Sequence, residues 1–336
     1  MTNDEAMKIR YFFFIVTVVL ASCGGVDEKP VTNDKPIEPK VEVPVFNQDS
    51  AYSYIESQVA FGPRVTGTEV SDKCAAWLTA KLSQWMDTVA VQKGKVVAYD
   101  NTGLNIKNII GSYLPGNNNR IFLCSHWDSR PYADYDPDKA NHRKPIDGAN
   151  DGASGVGVLL EIARIISTVK PKIGIDIIFF DAEDYGTPGD LQDQTHKEDT
   201  WGLGSQFWAK SLHESGYYAR YGILLDMVGA ENAQFHQEGF SKYYAPDIVR
   251  KVWETARSAG FSDYFVMTEG NPITDDHYYI NKIANIPTID IIHTEPGTRG
   301  GFFTHWHTMG DTMDKINKNT LYAVGQSLLH VIYGEK

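Results

Sequence analysis

Basic residues are scarce in this sequence, in which 31 lysines and arginines stand against 43 aspartates and glutamates, for a net charge of -12. A protein that binds nucleic acid needs a basic face for the phosphates, so we expect no nucleic-acid partner. A repeat of fixed period is also absent, as is a second composition class within the main body. With 42% hydrophobic and 22% charged residues, the composition is that of an ordinary globular protein, long enough for one large α/β domain or two smaller ones.

The N-terminus lacks an apolar run long enough to span a bilayer, which takes about 20 residues. Residues 11–20 are apolar, follow Lys8 and Arg10, and precede Ala-Ser-Cys at 21–23, which is the pattern of a signal peptide. Because Leu-Ala-Ser-Cys at 20–23 resembles a bacterial lipobox, we predict a signal peptide at 1–22 and a lipid on Cys23. The protein would then be exported and anchored at the periplasmic face of a membrane. A plain secretory signal with an incidental Cys23 is the alternative.

Residues 23–46 are rich in proline, lysine and acids, and such a segment cannot bury a core. We predict a flexible tether there and a folded domain at 47–336. Two cysteines lie in that domain, Cys74 on a helical face and Cys124 in a strand. The pattern is compatible with one disulfide or with two buried thiols.

Strand-like runs alternate with helical patterns throughout the folded part. Apolar spacing predicts helices at 71–86, 155–169, 205–214, 246–259 and 319–333, and strands at 89–99, 104–113, 120–125, 173–180, 221–227 and 288–292. This alternation favours a mostly parallel sheet covered on both faces. The predicted fold is a single three-layer α/β/α domain with a central mixed, mostly parallel sheet.

Five segments place acids or histidines where a predicted strand ends or a helix begins. Asp-Ala-Glu-Asp at 181–184 follows an apolar strand, and like charges held this close resist ionisation unless a cation offsets them. The other segments are Ser-His-Trp-Asp-Ser at 125–129, Asp-Gly-Ala-Asn-Asp-Gly-Ala-Ser-Gly at 147–155, Leu-Asp-Met at 225–227 and His-Trp-His-Thr at 305–308. Open α/β sheets bind ligands at such strand ends.

Carboxylate and imidazole ligands without cysteine suit a catalytic zinc site, which keeps one coordination position open, better than a structural one. Each segment alone has an ordinary explanation, such as a solvated acidic loop, a buried core histidine at 126, a helix-cap acid at 226 or turn geometry at 147–150. The five segments together favour a metal site.

In their order, these segments resemble the motifs of the zinc aminopeptidase clan of the M28 type. Residues 61–68, Phe-Gly-Pro-Arg-Val-Thr-Gly-Thr, also resemble the first motif of its glutaminyl-peptide cyclotransferase branch, and the match extends over residues 61–313. The resemblance implies that Asp151, Asp184 and His307 bind one zinc ion. It also implies that Glu183 acts beside the metal as general acid/base.

Two further positions bear on the number of metal ions. His126 and Asp226 occupy positions that, in the aminopeptidases, complete a second zinc site with Asp151 as the bridge. In the cyclases these positions persist although only one zinc is bound. Asp184 departs from the family, which commonly has glutamate there, so its backbone must lie closer to the metal. The family often has a cis peptide after the bridging aspartate, which is expected here at Asp151–Gly152.

Three features favour the cyclase branch. Trp306 directly precedes His307, as in the cyclases, where an aromatic wall closes the pocket. The insertion at 185–200 leads to Trp201, in the region that supplies the second pocket tryptophan. Asp-Asp-His at 275–277 resembles a cyclase motif in which Asp276 shares a carboxylate network with Asp226. The ordinary explanation for both tryptophans is packing.

The implied reaction converts the N-terminal glutamine of peptides or proteins to pyroglutamate with release of ammonia. Zinc would polarise the γ-carbonyl, Glu183 would carry the proton from the amine to the departing nitrogen, and Asp226 and Asp276 would orient the intermediate. An M28-type zinc aminopeptidase that removes N-terminal residues is the alternative. A zinc-free scaffold used only for binding is disfavoured, because no ligand position is missing. We expect a monomer with one zinc ion per chain.

Overall fold

The computed structural model describes residues 42–192, 197–298 and 300–336. The predicted signal peptide at 1–22, the predicted lipid site Cys23 and the predicted tether up to residue 41 lie outside these residues. Among the helices of the described chain, none has both the length and the apolar character needed to cross a membrane.

Strands and helices alternate along the described chain. The strands are β1 (Thr88–Val97), β2 (Gly103–Tyr113), β3 (Arg120–His126), β4 (Gly174–Phe180), β5 (Gly222–Asp226), β6 (Phe235–Gln237), β7 (Phe265–Glu269) and β8 (Thr288–Ile292). The helices are α1 (Gln48–Val59), α2 (Glu69–Leu82), α3 (Ala153–Thr168), α4 (Leu203–Lys210), α5 (Gly239–Tyr244), α6 (Pro246–Ser258), α7 (Asp276–Tyr279) and α8 (Lys318–Gly334). The predicted helices and strands are all present, with ends that differ by a few residues.

Six of the strands form one mixed sheet in the order β1-β2-β4-β3-β5-β8. Strands β4, β3, β5 and β8 are parallel to one another, whereas β2 is antiparallel to both of its neighbours. A second, two-stranded sheet pairs β6 with β7. The predicted central sheet, mixed and mostly parallel, is therefore confirmed.

Side chains of the central strands alternate between two apolar layers. In β3, Ile121 and Leu123 pack on the side of α1, α2, α3, α6 and α8. Phe122 and Cys124 pack on the opposite side, against Trp208 of α4. Because successive strand residues point to opposite faces, a strand buried on both faces is apolar throughout. The predicted three-layer arrangement is thus observed.

Residues 42–46, which were predicted to end the tether, lie against α8. Phe46 is 1% exposed, and its backbone N–H donates to Gln326 Oε1 at 2.8 Å. The Gln326 amide in turn donates to the carbonyl of Pro44 at 3.1 Å. A Cβ atom at Gly325 would lie 2.3 Å from the Phe46 ring, so the ring sits directly on the helix backbone. The packed chain therefore begins before residue 47.

Cys74 and Cys124 are both buried and unbonded. Cys74 lies in the helical layer of α1, α2 and α3, and Cys124 lies on the other face of the sheet. Of the two arrangements left open by the sequence, the structure has two buried thiols.

Candidate active site

The carboxyl ends of three parallel strands meet at one edge of the sheet. Strand β3 ends at His126, β5 ends at Asp226, and β4 leads directly into 181–184. His126 is paired with Phe180, so its side chain lies level with the start of that acidic segment. Asp151 reaches the same edge because it directly precedes Gly152, the N-cap of α3. The sheet topology thus gathers segments that are far apart in sequence.

Asp151, Asp184 and His307 form the first group able to hold a metal ion. His307 Nε2 lies 3.1 Å from Asp184 Oδ1 and 3.6 Å from Asp151 Oδ2. The three residues are between 1% and 3% exposed. One imidazole and two carboxylates converging on one point are a donor set that zinc accepts.

Asp151 also belongs to a second such group, with His126 and Asp226. His126 Nε2 lies 3.1 Å from Asp151 Oδ1 and 3.2 Å from Asp226 Oδ1. The two oxygens of Asp151 therefore face two different histidines. The structure brings together all five residues that the sequence proposed for one or two metal ions.

Two further carboxylates hold the backbone of the candidate ligands. Asp128 accepts the backbone N–H groups of Glu183 and Asp184, each at 3.1 Å. Asp311 accepts the N–H of Asp151 at 3.0 Å and that of the preceding residue at 2.8 Å. The sequence analysis included Asp128 in the segment at 125–129 without giving it a role, and it missed Asp311. A loop acid that contacts only backbone carries no motif of its own.

Burial makes the ligand carboxylates costly without a cation. It raises the pKa of Asp184 to about 8 and also raises the pKa of Asp151. One oxygen of each carboxylate is buried and has no hydrogen-bond partner within the described residues. Burial and the neighbouring Arg130 hold the pKa of His307 well below its usual value, so its imidazole is neutral and has a lone pair to share. These residues fit a divalent metal ion such as zinc.

Three backbone positions at the site have a positive φ without being glycine. They are Ala182 at 54°, Met227 at 50° and His307 at 54°. Ala182 precedes Glu183, and Met227 follows Asp226. Left-handed backbone is unfavourable for such residues and clusters at functional sites, where the surrounding structure holds it in place.

The peptide bond between Asp151 and Gly152 is trans, and the described residues contain no cis peptide. The expected cis bond is therefore wrong for this chain. Gly152 has a φ of 90°, and a Cβ atom there would lie 2.7 Å from the carbonyl oxygen of Asp128. Because glycine adopts a positive φ without a steric penalty, it allows the tight turn into α3.

A cavity of about 460 Å³ opens above the first ligand group. Trp201, Trp306 and His307 all line this cavity. The Trp201 ring is stacked on His307 with centroids 5.9 Å apart and planes at 13°. The Trp306 ring is also stacked on His307, with centroids 3.7 Å apart and planes at 25°. The predicted pocket tryptophans thus both line the cavity. Asp151, Glu183, Asp184 and Asp226 also line it.

Asp275, and not Asp276, lines this cavity. Asp275 is the N-cap of α7 and accepts the backbone N–H of Asp276 at 2.5 Å. The chain turns into the helix at this point, so the next side chain points elsewhere. A Cβ atom at Gly202 would lie 3.1 Å from Asp276 Oδ1, which places that carboxylate behind the cavity wall. Sequence reasoning chose between adjacent aspartates without knowing where the helix begins.

Two other motif residues lie outside the cavity. Asp181 is fully buried and accepts hydrogen bonds from the Thr66 hydroxyl at 2.7 Å and from the Lys107 backbone at 2.8 Å. His305 lines a separate polar cavity on the other side of the loop that carries Trp306. Asp181 therefore anchors the loop and does not face the metal group.

Glu183 and Asp275 are the acids best placed to exchange protons in the cavity. Burial, and then the neighbouring Asp275, raise the pKa of Glu183 well above its usual value. Burial and Asp226 raise the pKa of Asp275 to about 6. Carboxyl groups shifted toward neutral pH by such surroundings are typical of acid/base sites.

Residues 108–332 match the family described as Peptidase family M28. The chain belongs to this family. Its structure is similar to that of the glutaminyl cyclase of Bacteroides thetaiotaomicron, with 54% identity, a TM-score of 0.86, and coverage of 88% of this chain and 100% of that chain. It is similar as well to a Zn-dependent exopeptidase from Parabacteroides distasonis, with 52% identity, a TM-score of 0.85, and coverage of 87% and 99%.

A curated relative, the aminopeptidase YwaD of Bacillus subtilis, is 27% identical over 69% of this chain. The match covers 45% of that relative, so this chain spans less than half of its length. The zinc dependence expected from the motifs agrees with the family and with the zinc-dependent neighbour.

Proposed function

We propose that this protein is a zinc-dependent glutaminyl-peptide cyclotransferase. It converts the N-terminal glutamine of a peptide or protein to pyroglutamate and releases ammonia. The observation that carries this proposal is the aromatic slot, the part of the cavity lined by Trp201 and Trp306, whose rings both stack on His307, with Glu183 in the same lining. The strong likeness to a bacterial glutaminyl cyclase supports it.

Asp151, Asp184 and His307 would hold the zinc ion. When bound, it supplies a Lewis acid that polarises the γ-carbonyl of the substrate glutamine. The indole faces of Trp201 and Trp306 hold the apolar stem of the glutamine and exclude water. They thereby favour the folded conformer in which the α-amine approaches its own γ-carbon, and this proximity supplies much of the rate enhancement.

Glu183 carries the proton. As a carboxylate it takes a proton from the α-amine as the new C–N bond forms. As an acid it gives this proton to the amide nitrogen, so that the C–NH₂ bond breaks and ammonia departs. Asp275 and Asp226 flank this position, and we assign to this pair the orienting role that the sequence gave to Asp276 and Asp226.

We further propose one zinc ion per chain, with the contacts of His126 in place of a second ion. Its Nε2 atom already contacts both Asp151 and Asp226, and its Nδ1 atom lies 3.5 Å from Asp128. Burial by itself lowers the pKa of His126, but hydrogen bonds with these three carboxylates outweigh it and raise the pKa well above the usual value. His126 thus contacts the acids of the second group directly.

The second candidate function is an M28-type aminopeptidase. The same His126–Asp151–Asp226 group favours it, because a second metal ion at these residues would give a two-metal hydrolytic site. The exopeptidase named among the similar structures agrees with this alternative. The aminopeptidase is the weaker candidate, because the tryptophan slot favours the cyclase and because His126 already contacts Asp151 and Asp226 directly.

The location of the protein is a proposal from sequence alone. A signal peptide at 1–22 and a lipid on Cys23 would place a monomeric enzyme on the periplasmic face of a membrane. Labelling of cells with a radioactive fatty acid should mark the wild-type protein and leave a Cys23→Ser variant unmarked.

Ammonia release under zinc titration tests the proposal. Metal-free protein is incubated with a Gln-initiated peptide and increasing zinc, with the N-acetylated peptide as the control because it lacks the attacking amine. We expect ammonia from the free peptide alone, with activity saturating at one equivalent of zinc. Activity that follows a second equivalent, or no ammonia at any zinc level, contradicts the proposal.

A further inference from the structure

Arg130 and Asp134 form a fully buried ion pair beside the metal group. Arg130 Nε and one terminal nitrogen donate to the two oxygens of Asp134, each at 2.8 Å. Both side chains are 0% exposed. Burying two charges is costly, and their attraction offsets this only when the remaining donors and acceptors are also used.

The third guanidinium nitrogen of Arg130 contacts the loop that carries Asp184. It donates to the backbone carbonyl of Asp184 at 2.9 Å and to that of Gly186 at 3.4 Å, and it lies 3.5 Å from Asp184 Oδ1. The guanidinium also lies over the ring of Trp201, 4.7 Å from its centroid. One side chain therefore contacts both a candidate ligand and a cavity wall.

Asp134 faces the other candidate ligand of the same group. Its Oδ1 atom lies 3.6 Å from His307 Nδ1, and the backbone N–H of Tyr135 donates to the carbonyl of His307 at 3.1 Å. The other carboxylate oxygen of Asp134 accepts the backbone N–H of Gly189 at 2.7 Å. The contact with Nδ1 is longer than a hydrogen bond, but a carboxylate beside the far nitrogen of a metal-binding histidine favours the tautomer with its proton on that nitrogen.

We infer that the Arg130–Asp134 pair is a positioning unit that sets Asp184, His307 and Trp201 in one geometry. The inference rests on the proposed function, because it assigns the pair to the zinc group and the substrate slot. It also accounts for an aspartate at 184. The shorter side chain requires its backbone close to the metal, and Arg130 holds that backbone by its carbonyl. A lysine could not replace Arg130, since one ammonium cannot grip Asp134 in a fork and reach the loop as well.

The conservative variant Arg130→Lys tests the inference. The zinc dissociation constant is measured by competition with a coloured chelator, and kcat and KM are measured with a Gln-initiated peptide. We expect zinc binding to weaken by roughly 10- to 100-fold, the usual effect of losing such a supporting partner. Excess zinc should restore kcat but leave KM raised, because the metal refills its ligands while Trp201 stays unsupported.

A matched control comes from the start of β3, the strand that precedes Arg130, where Arg120 Nε pairs with Asp176 at 3.1 Å and both are buried. Arg120→Lys should lower the melting temperature yet leave zinc affinity and KM unchanged. The inference is overturned if Arg130→Lys keeps the wild-type zinc affinity and KM, or if the Arg120 variant shifts both by the same amount.

If Arg130→Lys does not fold, Asp134→Asn is measured instead. We expect this variant to bind zinc more weakly than the wild type, and unchanged zinc binding would contradict the inference. The zinc measurements stand even if wild-type protein forms no pyroglutamate, which would refute only the proposed function.

Discussion

Glu183 and Asp184 are neighbours in sequence, but their side chains serve different parts of the site. Asp184 belongs to the first metal group with His307, whereas Glu183 lines the cavity and lies outside both groups around Asp151. The turn that separates them begins at Ala182, with its positive φ, and is held by Asp128 through both backbone N–H groups. Two adjacent acids can therefore act as ligand and proton carrier.

Glu183→Gln should fold and bind zinc as the wild type does, and lose about 10²- to 10⁴-fold in kcat, because the amide cannot carry the proton. Asp184→Ala and His307→Ala should instead lose the metal. Bound zinc, measured by atomic absorption, and kcat distinguish the two outcomes. Glu161→Gln is a control, since Glu161 is a buried acid on α3 that pairs with Arg164. Equal metal loss in the Glu183 and Asp184 variants would show that the two roles are misassigned.

Gly186 sets the position of Trp201. A Cβ atom there would lie 2.2 Å from the indole ring, so Gly186→Ala must displace it. We expect KM to rise by about 5- to 10-fold, equivalent to the roughly 1 kcal/mol of a lost aromatic contact, while zinc binding is retained. Gly103→Ala, where a Cβ atom meets nothing within 4 Å, should leave KM unchanged. An unchanged KM in Gly186→Ala would mean that Trp201 does not bind substrate.

The motifs, with the family that they resemble, were sufficient to name the residues of both metal groups. They were not sufficient to choose between Asp275 and Asp276, since that choice depends on the residue at which α7 begins. The roles of Asp311, Arg130 and Asp134 were also missed. These side chains act through contacts with loops distant in sequence, and only tertiary structure brings them there.

At the scale of elements, Glu238 joins α5, α7 and the loop that precedes α7. It accepts the backbone N–H groups of Phe240 and Ser241, which caps α5, and that of Ile273 at 2.8 Å. His277 of α7 lies with Nε2 2.9 Å from Glu238 Oε2. Burial by itself raises the pKa of Glu238, but hydrogen bonds from His277 and Ser241 outweigh it and lower the pKa to about 2.

Glu238→Gln should destabilise the fold at neutral pH by about 1–3 kcal/mol, because the amide NH₂ would face backbone donors. A carboxylate whose pKa is lowered on folding stabilises the protein above its unfolded pKa and loses this contribution as pH falls. The difference in the free energy of unfolding between wild type and variant should therefore become smaller below pH 4.5 and vanish toward pH 2. Urea unfolding at several pH values measures it. Glu231→Gln, at an exposed position nearby, should show no such trend, and a constant difference for Glu238→Gln would contradict the account.

At the scale of the whole molecule, the fold was largely predictable from the alternation of apolar runs. Helix α1 was missed because it buries only Ala51, Ile55 and Gln58, which is too narrow a stripe for a periodic signal. Strand β6 was missed because it has only 3 residues, and β7 was missed because its residues are mostly exposed and form no apolar run. The start of the packed chain was placed at residue 47, since a single aromatic residue after a proline-rich segment has no periodicity.

Phe46→Ala should lower the free energy of unfolding by about 3–5 kcal/mol, the usual cost of removing a buried phenyl ring. The neighbouring Val45 is 73% exposed, so Val45→Ala should change stability by less than about 0.5 kcal/mol. Chemical unfolding of both variants measures the difference. Similar small effects would indicate that residues 42–46 are dispensable and that the domain begins at residue 47.

The products formed from two peptides in one reaction test the central claim most directly. A Gln-initiated and a Leu-initiated peptide are incubated together with the zinc-loaded protein, and the products are followed by mass. The account predicts loss of one ammonia from the first peptide, no change in the second, and a rate that rises toward the α-amine pKa of about 8. Removal of the first residue from either peptide, with no pyroglutamyl product at any pH, would make the protein an aminopeptidase.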